Sequence, residues 1–340
     1  MAAIGRAVRE STRARVVAIT GSVGKTSTKD ILAALLRPHV RLVAAEDGFN
    51  NELGLPLTLC RVEADTEVVV TEMGMRGSGQ IRALAEIARP DIGVITAIAP
   101  VHLELLGSIE NVVRAKAELL DALPPGGIAV LPAHAPELEP FVPDGLDVRR
   151  FGPATTHARD GALSVEFAGR EIAFAFTARH QAENALAALT VCEALGVPLP
   201  EAAVEVSFSR LRSQESELPG GGLLINDAWN ANPVAMRAAL EHLRDRAAGR
   251  RTVAILGEMA ELGADAPRFH ADLDTSGVDL VIGVGGLARG YEPDTWVADA
   301  SEAASLAREL VRPGDVVLVK GSRSVGLEIV ADALSGVAAP

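Results

Sequence analysis

Short Val- and Ile-rich runs alternate with longer Ala/Leu/Glu/Arg stretches from one end of the chain to the other. A short unbroken apolar run is what a strand buried on both faces presents, whereas apolar residues recurring every three or four positions mark one face of a helix. On that pattern strands are predicted near 15–20, 40–45, 67–72, 92–98 and 127–131, with helices over 26–36, 79–88 and 108–122. The P-P-G-G break at Pro124–Gly127 ends the last of these helices. From Pro132 to Arg179 the alternation in L-S-V-E-F-A and E-I-A-F-A-F predicts an antiparallel hairpin, and A-E-N-A-L-A-A-L-T-V-C-E-A-L-G predicts a helix ended by Gly196.

The polar, Gly-rich stretch S-R-L-R-S-Q-E-S-E-L-P-G-G-G at 209–222 then precedes a fresh cycle. Strands are predicted at 223–227, 252–257, 280–285 and 316–321, and helices near 233–247, 301–311 and 324–334. This regular alternation predicts the α/β class with mainly parallel sheets. The expected organisation is a remnant over 1–13, a phosphate-loop α/β domain over 14–208, a linker over 209–222 and a Rossmann-like α/β domain over 223–340. A length of 340 residues agrees with two domains, at about 150 residues each.

Composition narrows the function. Hydrophobic residues make up 48% and charged ones 23%, enough to fill real cores. Aromatics are only 3%, so those cores are aliphatic and a base-stacking platform has almost nothing to be built from. Thirty-two basic residues against 45 acidic ones give a formal charge of −13, which repels a nucleic-acid backbone. An anionic small ligand is still allowed, because a few lysines and backbone N–H groups can override the global field within one cleft. Two cysteines, Cys60 and Cys192, make neither a zinc ribbon nor a disulfide framework and suit a reducing cytoplasm. No apolar leader opens the chain, and no run approaches the about 18 apolar residues of a membrane span. A cytoplasmic protein without membrane insertion is expected.

The sharpest signal is V-V-A-I-T-G-S-V-G-K-T-S-T, a buried strand running through Gly21, Ser22, Val23, Gly24, Lys25, Thr26 and Ser27 into a helix. Glycines let several N–H groups face one point, the helix N-terminus adds partial positive charge, the lysine reaches terminal phosphates and the threonine hydroxyl can ligate Mg2+. Ile19 stands where the strict pattern has a glycine, which makes this a G-x-x-G-K-T variant. The N-K-x-D specificity motif is absent, against a GTP switch. Glu72, closing E-V-V-V-T-E, and His102, where D-I-G-V-I-T-A-I-A-P-V-H leaves its strand, are candidate metal ligands, since ligands of open α/β sheets gather at strand ends.

Taken in order, these residues resemble the Mur ligase family, and within it the branch that adds D-alanyl-D-alanine in peptidoglycan synthesis. T-G-S-V-G-K-T-S-T-K resembles its nucleotide loop, F-N-N-E-L-G-L-P-L-T-L its asparagine-rich segment and V-T-E-M-G-M-R-G-S-G-Q-I its acidic strand end. A-P-V-H-L-E-L-L-G-S-I-E, A-K-A-E-L-L and R-H-Q-A-E-N-A-L-A-A continue the likeness. N-D-A-W-N-A-N-P-V-A-M, L-G-E-M-A-E-L-G and L-V-K-G-S-R-S carry it through the second domain.

The resemblance implies an ATP-dependent ligase. A peptide carboxylate attacks the γ-phosphate, and an amine such as D-alanyl-D-alanine then displaces phosphate from the acyl phosphate. It implies two Mg2+ ions, with Thr26 and Glu72 on the first and His102 on the second, and a carbamylated Lys116 acting as a carboxylate-like ligand. It makes Lys25, Lys116, His102 and Arg212 the catalytic set, and gives His180, Asn184, Arg212, Asp227 and Asn230 to ATP. Asn50, Asn51, Asn232, Lys320, Ser322 and Arg323 fall to the substrates. Trp229 stands where a Tyr is usual. Other departures are Gly48 for Asn, Ala178 for Gly, Gln181 for Asn, Glu258 for Asp and Leu327 for Met.

Full-length members carry a UDP-gripping N-terminal domain, whereas about 13 residues precede the first strand here. Two expectations follow: a separate chain supplies the UDP site for a UDP-muramoyl-tripeptide, or the same chemistry serves a non-UDP acceptor in a specialised peptide pathway. A partner-dependent nucleotide-binding subunit is the alternative from another class, although the related isoglutaminyl synthase subunit has a four-cysteine ribbon that two cysteines cannot make. His39, His134, His157 and His242 read as surface or loop residues, both cysteines as small core fillers, and His270 as a support of the second domain's site.

Overall fold

The computed structural model describes residues 1–159 and 161–336. The chain forms two compact units, Met1–Ala99 with Leu105–Ser209, and Pro100–Glu104 with the chain from Arg210 onward. The first unit contains α1 (Ala2–Ser11), β1 (Arg15–Thr20), α2 (Lys25–Leu36), β2 (Leu42–Ala44), α3 (Gly54–Leu59), β3 (Val68–Glu72), α4 (Gln80–Ala88) and β4 (Ile92–Ile95). After α5 (Leu103–Leu106) come α6 (Ile109–Asp121), β5 (Ile128–Pro132), β6 (Asp147–Phe151), β7 (Thr156–Arg159), β8 (Ala162–Phe167), β9 (Arg170–Phe174) and α7 (Gln181–Leu195).

A six-stranded sheet with order β2-β3-β1-β4-β5-β6, parallel throughout, forms the centre of this unit. β1, β3, β4 and β5 are buried along almost their whole length, as their unbroken Val/Ile runs require. Val17, Ile19, Val70 and Val94 pack with Ile31, Leu32 and Leu35 of α2 and with Ala185, Leu189 and Cys192 of α7. β7, β8 and β9 make a small antiparallel sheet that contains the expected hairpin.

The second unit holds β10 (Gln214–Glu217), β11 (Leu223–Asp227), α8 (Pro233–Ala247), β12 (Thr252–Gly257), α9 (Ala266–Ala271), β13 (Leu280–Val284), β14 (Thr295–Val297), α10 (Ala300–Leu310), β15 (Val316–Lys320) and α11 (Glu328–Leu334). Its sheet order is β10-β11-β15-β12-β13-β14, parallel except for β10. Separate apolar clusters cover its two faces, one around Val253, Ile255, Val317 and Ala303, the other around Met236, Leu240, Ala254 and Leu318.

Several elements depart from the sequence-based expectations. Residues 1–13, expected as a remnant, contain α1, where Gly5 is buried so closely that a Cβ would come 3.1 Å from Pro56 and 3.2 Å from Ile87. Arg9 fastens that helix, donating to the Ala88 carbonyl at 2.9 Å and pairing with Asp91 at 3.1 Å. β10 lies inside the polar stretch read as a linker. β4 ends at Ile95 rather than near 98. His242 is buried beside Glu215 rather than on the surface, and Cys60 is exposed while Cys192 is buried. Burial pushes the Cys192 thiol up to about 12, so it stays a neutral core filler.

Candidate functional site

In the first unit the chain leaves β1 for β2 on one side, and β4 lies on the other. The C-terminal end of β1 is therefore the switch point at which open α/β sheets bind ligands. The glycine loop occupies it. Gly21 has φ 151° and Gly24 φ 83°, and an added Cβ would lie 1.9 Å from the Thr96 hydroxyl at the first and 2.2 Å from the Asn184 amide oxygen at the second. Only glycine fits either place. No side chain caps α2, so its first-turn N–H groups point at the loop with the helix dipole behind them. Lys25 Nζ donates to the Gly21 carbonyl at 2.7 Å, holding the ammonium over the loop.

The loop is braced from three directions. Ser22 Oγ donates to the Ala99 carbonyl at 3.0 Å and accepts from Ala99 N at 2.9 Å. Thr96 Oγ1 donates to the Val23 carbonyl at 2.5 Å. Thr28 Oγ1 donates to Asn184 Oδ1 at 3.2 Å, and Asn184 Nδ2 donates to Gln181 Oε1 at 2.8 Å. Asn184 thus lies beneath Gly24 as part of the loop's support. His180 opens α7 without a side-chain cap and contacts Gln181 at 3.1 Å. Thr96 was missed by sequence reasoning, and a lone Thr after a strand carries no signal of its own.

Glu72 ends β3 in register with Ile19, beside the start of the loop. Its carboxylate accepts from Asn50 Nδ2 at 2.9 Å, and the Asn50 carbonyl accepts from Gly74 N at 2.7 Å. Asn51 is turned to structure, its Oδ1 accepting from Leu53 N at 3.1 Å and Gly54 N at 2.9 Å at the start of α3. Lys116, a solvated residue by composition alone, is fully buried on α6. Burial, and then the nearby charge of Lys25, push its ammonium well below the ordinary lysine range. The amine is therefore neutral far more readily than a surface lysine. Two residues on, Glu118 accepts from Gly79 N at 2.6 Å and Arg82 N at 3.0 Å, capping α4 from another helix. Its role was not foreseen.

In the second unit Asp227 and Lys320 end the adjacent strands β11 and β15 in register and form an ion pair at 2.5 Å, with Lys320 buried and Asp227 partly so. Lys320 Nζ also donates to the Asn230 carbonyl at 2.9 Å, and Asp227 Oδ1 accepts from Ser213 N at 3.2 Å. Asn232 is the N-cap of α8, its side chain accepting from Ala235 N at 2.9 Å ahead of Pro233. Ser322 is buried, with Oγ accepting from Ala260 N at 2.8 Å. Those bonds give Lys320, Ser322 and Asn232 internal work where substrate contact was expected. Arg323, by contrast, is exposed, and Arg212 is half-buried.

His102 lies seven positions beyond the end of β4, in the Pro100–Glu104 segment that belongs to the second unit. Its Nδ1 is hydrogen-bonded to the Glu261 carboxylate. The Glu258–Glu261 loop is itself held by His270, whose Nε2 accepts from Met259 N at 2.9 Å while Nδ1 donates to the Ala266 carbonyl at 2.6 Å. Burial lowers the His270 pKa, which keeps that tautomer neutral. Among the described residues no group of three His, Cys, Asp or Glu side chains stands ready for a metal ion. Thr26 and Glu72 are hard oxygen donors, the type Mg2+ takes alongside substrate phosphates, so the residues at the loop fit that ion.

The chain matches the Mur ligase middle domain over residues 19–192 and the Mur ligase, glutamate ligase domain over residues 210–323. It is 36% identical to a UDP-N-acetylmuramoyl-tripeptide--D-alanyl-D-alanine ligase of Mycobacterium tuberculosis, across 94% of this chain and 72% of that protein. The Escherichia coli protein of the same name is 30% identical, with 96% and 78% covered. The crystal structure of MurF ligase from Thermotoga maritima in complex with ADP superposes with a TM-score of 0.88 at 27% identity, covering 99% of this chain and 83% of that one. Phosphate loop, sheet order and these likenesses agree: the chain belongs to the Mur ligase family.

Proposed function

We propose that this chain is an ATP-dependent carboxylate-amine ligase that joins D-alanyl-D-alanine to a UDP-muramoyl-tripeptide, the reaction named for its relatives. The observation that carries the reading is the loop at the end of β1, with its uncapped α2, Lys25 and the Glu72–Asn50 pair. A carboxylate and ATP are both anions, and bringing them within bonding distance requires fixed positive charge. The loop N–H groups and Lys25 supply it. A substrate carboxylate oxygen bonds to the γ-phosphorus as the bond to the bridging oxygen breaks, leaving ADP and an acyl phosphate. The amine then attacks the acyl carbon, loses a proton and expels phosphate.

Thr26 and Glu72 would hold Mg2+, and Asn50 would fix the Glu72 carboxylate for it. When bound, the ion neutralises charge on the β- and γ-phosphoryl oxygens. His102 and Lys116 are the proposed ligands of a second ion. The neutral Lys116 amine can add CO2 and release a proton, which converts a cation into a carboxylate-like group. Arg212 is proposed to stabilise the transferring phosphoryl group.

Phosphate release tests this reading, measured with ATP, Mg2+ and D-alanyl-D-alanine, with and without UDP-muramoyl-tripeptide. Release that needs both the amine and the peptide is the expected result. Tight ATP binding with no turnover on any carboxylate and amine pair would sink the ligase reading. Turnover on a peptide lacking UDP would move the acceptor assignment alone.

A further inference from the structure

β4 ends at Ile95, and the residue that follows it, Thr96, is buried against the glycine loop. Its backbone N–H donates to the Thr20 carbonyl at 2.9 Å, which carries the pairing of β1 with β4 to the start of the loop. Its hydroxyl oxygen lies 3.2 Å from the same carbonyl and 2.5 Å from the Val23 carbonyl. A hydroxyl has one proton to give, and the much shorter contact takes it. The Thr20 carbonyl already has the Thr96 N–H, so the distinct contribution of the side chain is its bond to Val23.

That bond orients a peptide. A trans peptide is planar with its C=O and N–H on opposite sides, so a Val23 carbonyl turned to Thr96 turns the Gly24 N–H away from it. Gly24 sits at φ 83°, and glycine takes positive and negative φ about equally well, so the residue itself does not decide which way this peptide faces. The far side of Gly24 is fixed, its carbonyl accepting from Thr28 N at 2.8 Å in the first turn of α2. The Thr96 hydroxyl therefore selects between two orientations of one peptide at the head of that helix. An anion in the loop is attracted by the N–H that one of them presents and repelled by the carbonyl oxygen of the other.

We propose that Thr96 is a positioning residue whose hydroxyl holds the Val23–Gly24 peptide with the Gly24 N–H toward the phosphate oxygens of the nucleotide, an inference that rests on the ATP-dependent reading above. A neutral donor does this without adding charge to a loop that already carries Lys25. Valine has the same branched shape without the hydroxyl, so packing and hydrogen bonding at this position can be separated.

Calorimetry with ADP and Mg2+ measures the consequence. Thr96→Val should weaken binding about tenfold, and Thr96→Ser, which keeps the hydroxyl, should stay within about twofold of the unmodified protein. Amide exchange of the unmodified protein, read by NMR, needs no variant: the Gly24 N–H should gain protection when ADP and Mg2+ are added. If Thr96→Val does not fold, that exchange result decides. A structural role alone would lower the urea midpoint of Thr96→Val and leave its affinity for ADP where it was, and this outcome overturns the proposal. So does a Thr96→Ser protein that binds as weakly as Thr96→Val, or a Gly24 N–H left unprotected in the saturated protein; each leaves the ATP-dependent reading standing. Absence of calorimetric binding by the unmodified protein overturns that reading, and the proposal with it.

Discussion

Lys116 shows how far a single residue's chemistry departs from its composition. It is fully buried, and its ammonium is disfavoured first by burial and then by Lys25. Its pKa is depressed in the folded state, so between that lowered value and the unfolded value near 10.5 the unfolded chain binds the extra proton. Stability therefore rises with pH across that window and is lost as pH falls through it. In bicarbonate-free buffer, Lys116→Met should unfold at higher urea than the unmodified protein at pH 7, with the gap closing as pH approaches 10. A variant less stable than the parent at pH 7 would contradict the cost assigned to the buried amine. The same variant should lose ligation. His270 has the same sign. Its lowered pKa and its acceptance from Met259 N both require the neutral ring, so the Glu258–Glu261 loop loses that hold as pH drops below the ordinary histidine range. The need for burial at Lys116 was invisible in V-V-R-A-K-A-E-L-L, because helix periodicity places a lysine on a face without saying what packs over it.

Elements were legible where local signals agreed, and less so where partners far along the chain supply the order. α8 begins and ends as predicted because N-P at Asn232 and Pro233 is a complete start signal, with a capping side chain followed by a proline in the first turn. α4, predicted over 79–88 and found at Gln80–Ala88, was legible from its periodicity but has no such start signal. Its N-cap is Gly79 in a left-handed conformation, and Glu118 supplies the missing acceptor from α6. Glu118→Ala should cost about 1–2 kcal/mol, seen as a lower urea midpoint with an unchanged slope, and Glu118→Gln should fall between because one acceptor oxygen remains. An unchanged midpoint in the alanine variant would mean that solvent satisfies those N–H groups equally well. α1 and β10 escaped for related reasons. Gly5 lowers the helix signal of α1 yet is what permits close contact with Pro56, and Q-E-S-E reads as solvated chain until β11 offers it an edge.

At the scale of the whole chain, the aliphatic bias of the sequence shows as two sheets with their own cores. Val253, Ile255, Val317 and Leu318 bury the centre of the second sheet, with α10 and α11 on one face and α8 on the other, and none of those contacts draws on the first unit. A domain of this length buries enough apolar surface to fold alone. A chain of residues 210–340 is therefore expected to give mixed α/β circular dichroism and one cooperative urea transition. That fragment lacks Pro100–Glu104, and so loses the hydrogen bond from Glu104 N to the Glu261 carbonyl at 3.3 Å and the His102 contact with Glu261. The consequence should be local. Amide exchange at 259–263 should quicken relative to the full chain, while β12 and β15, hydrogen-bonded through Thr252 to Leu256, keep their protection. Loss of protection across β12 and β15 as well would show that the Pro100–Glu104 segment is part of the second unit's folding core; retained protection at 259–263 would show that His270 and Ser322 hold the loop without it.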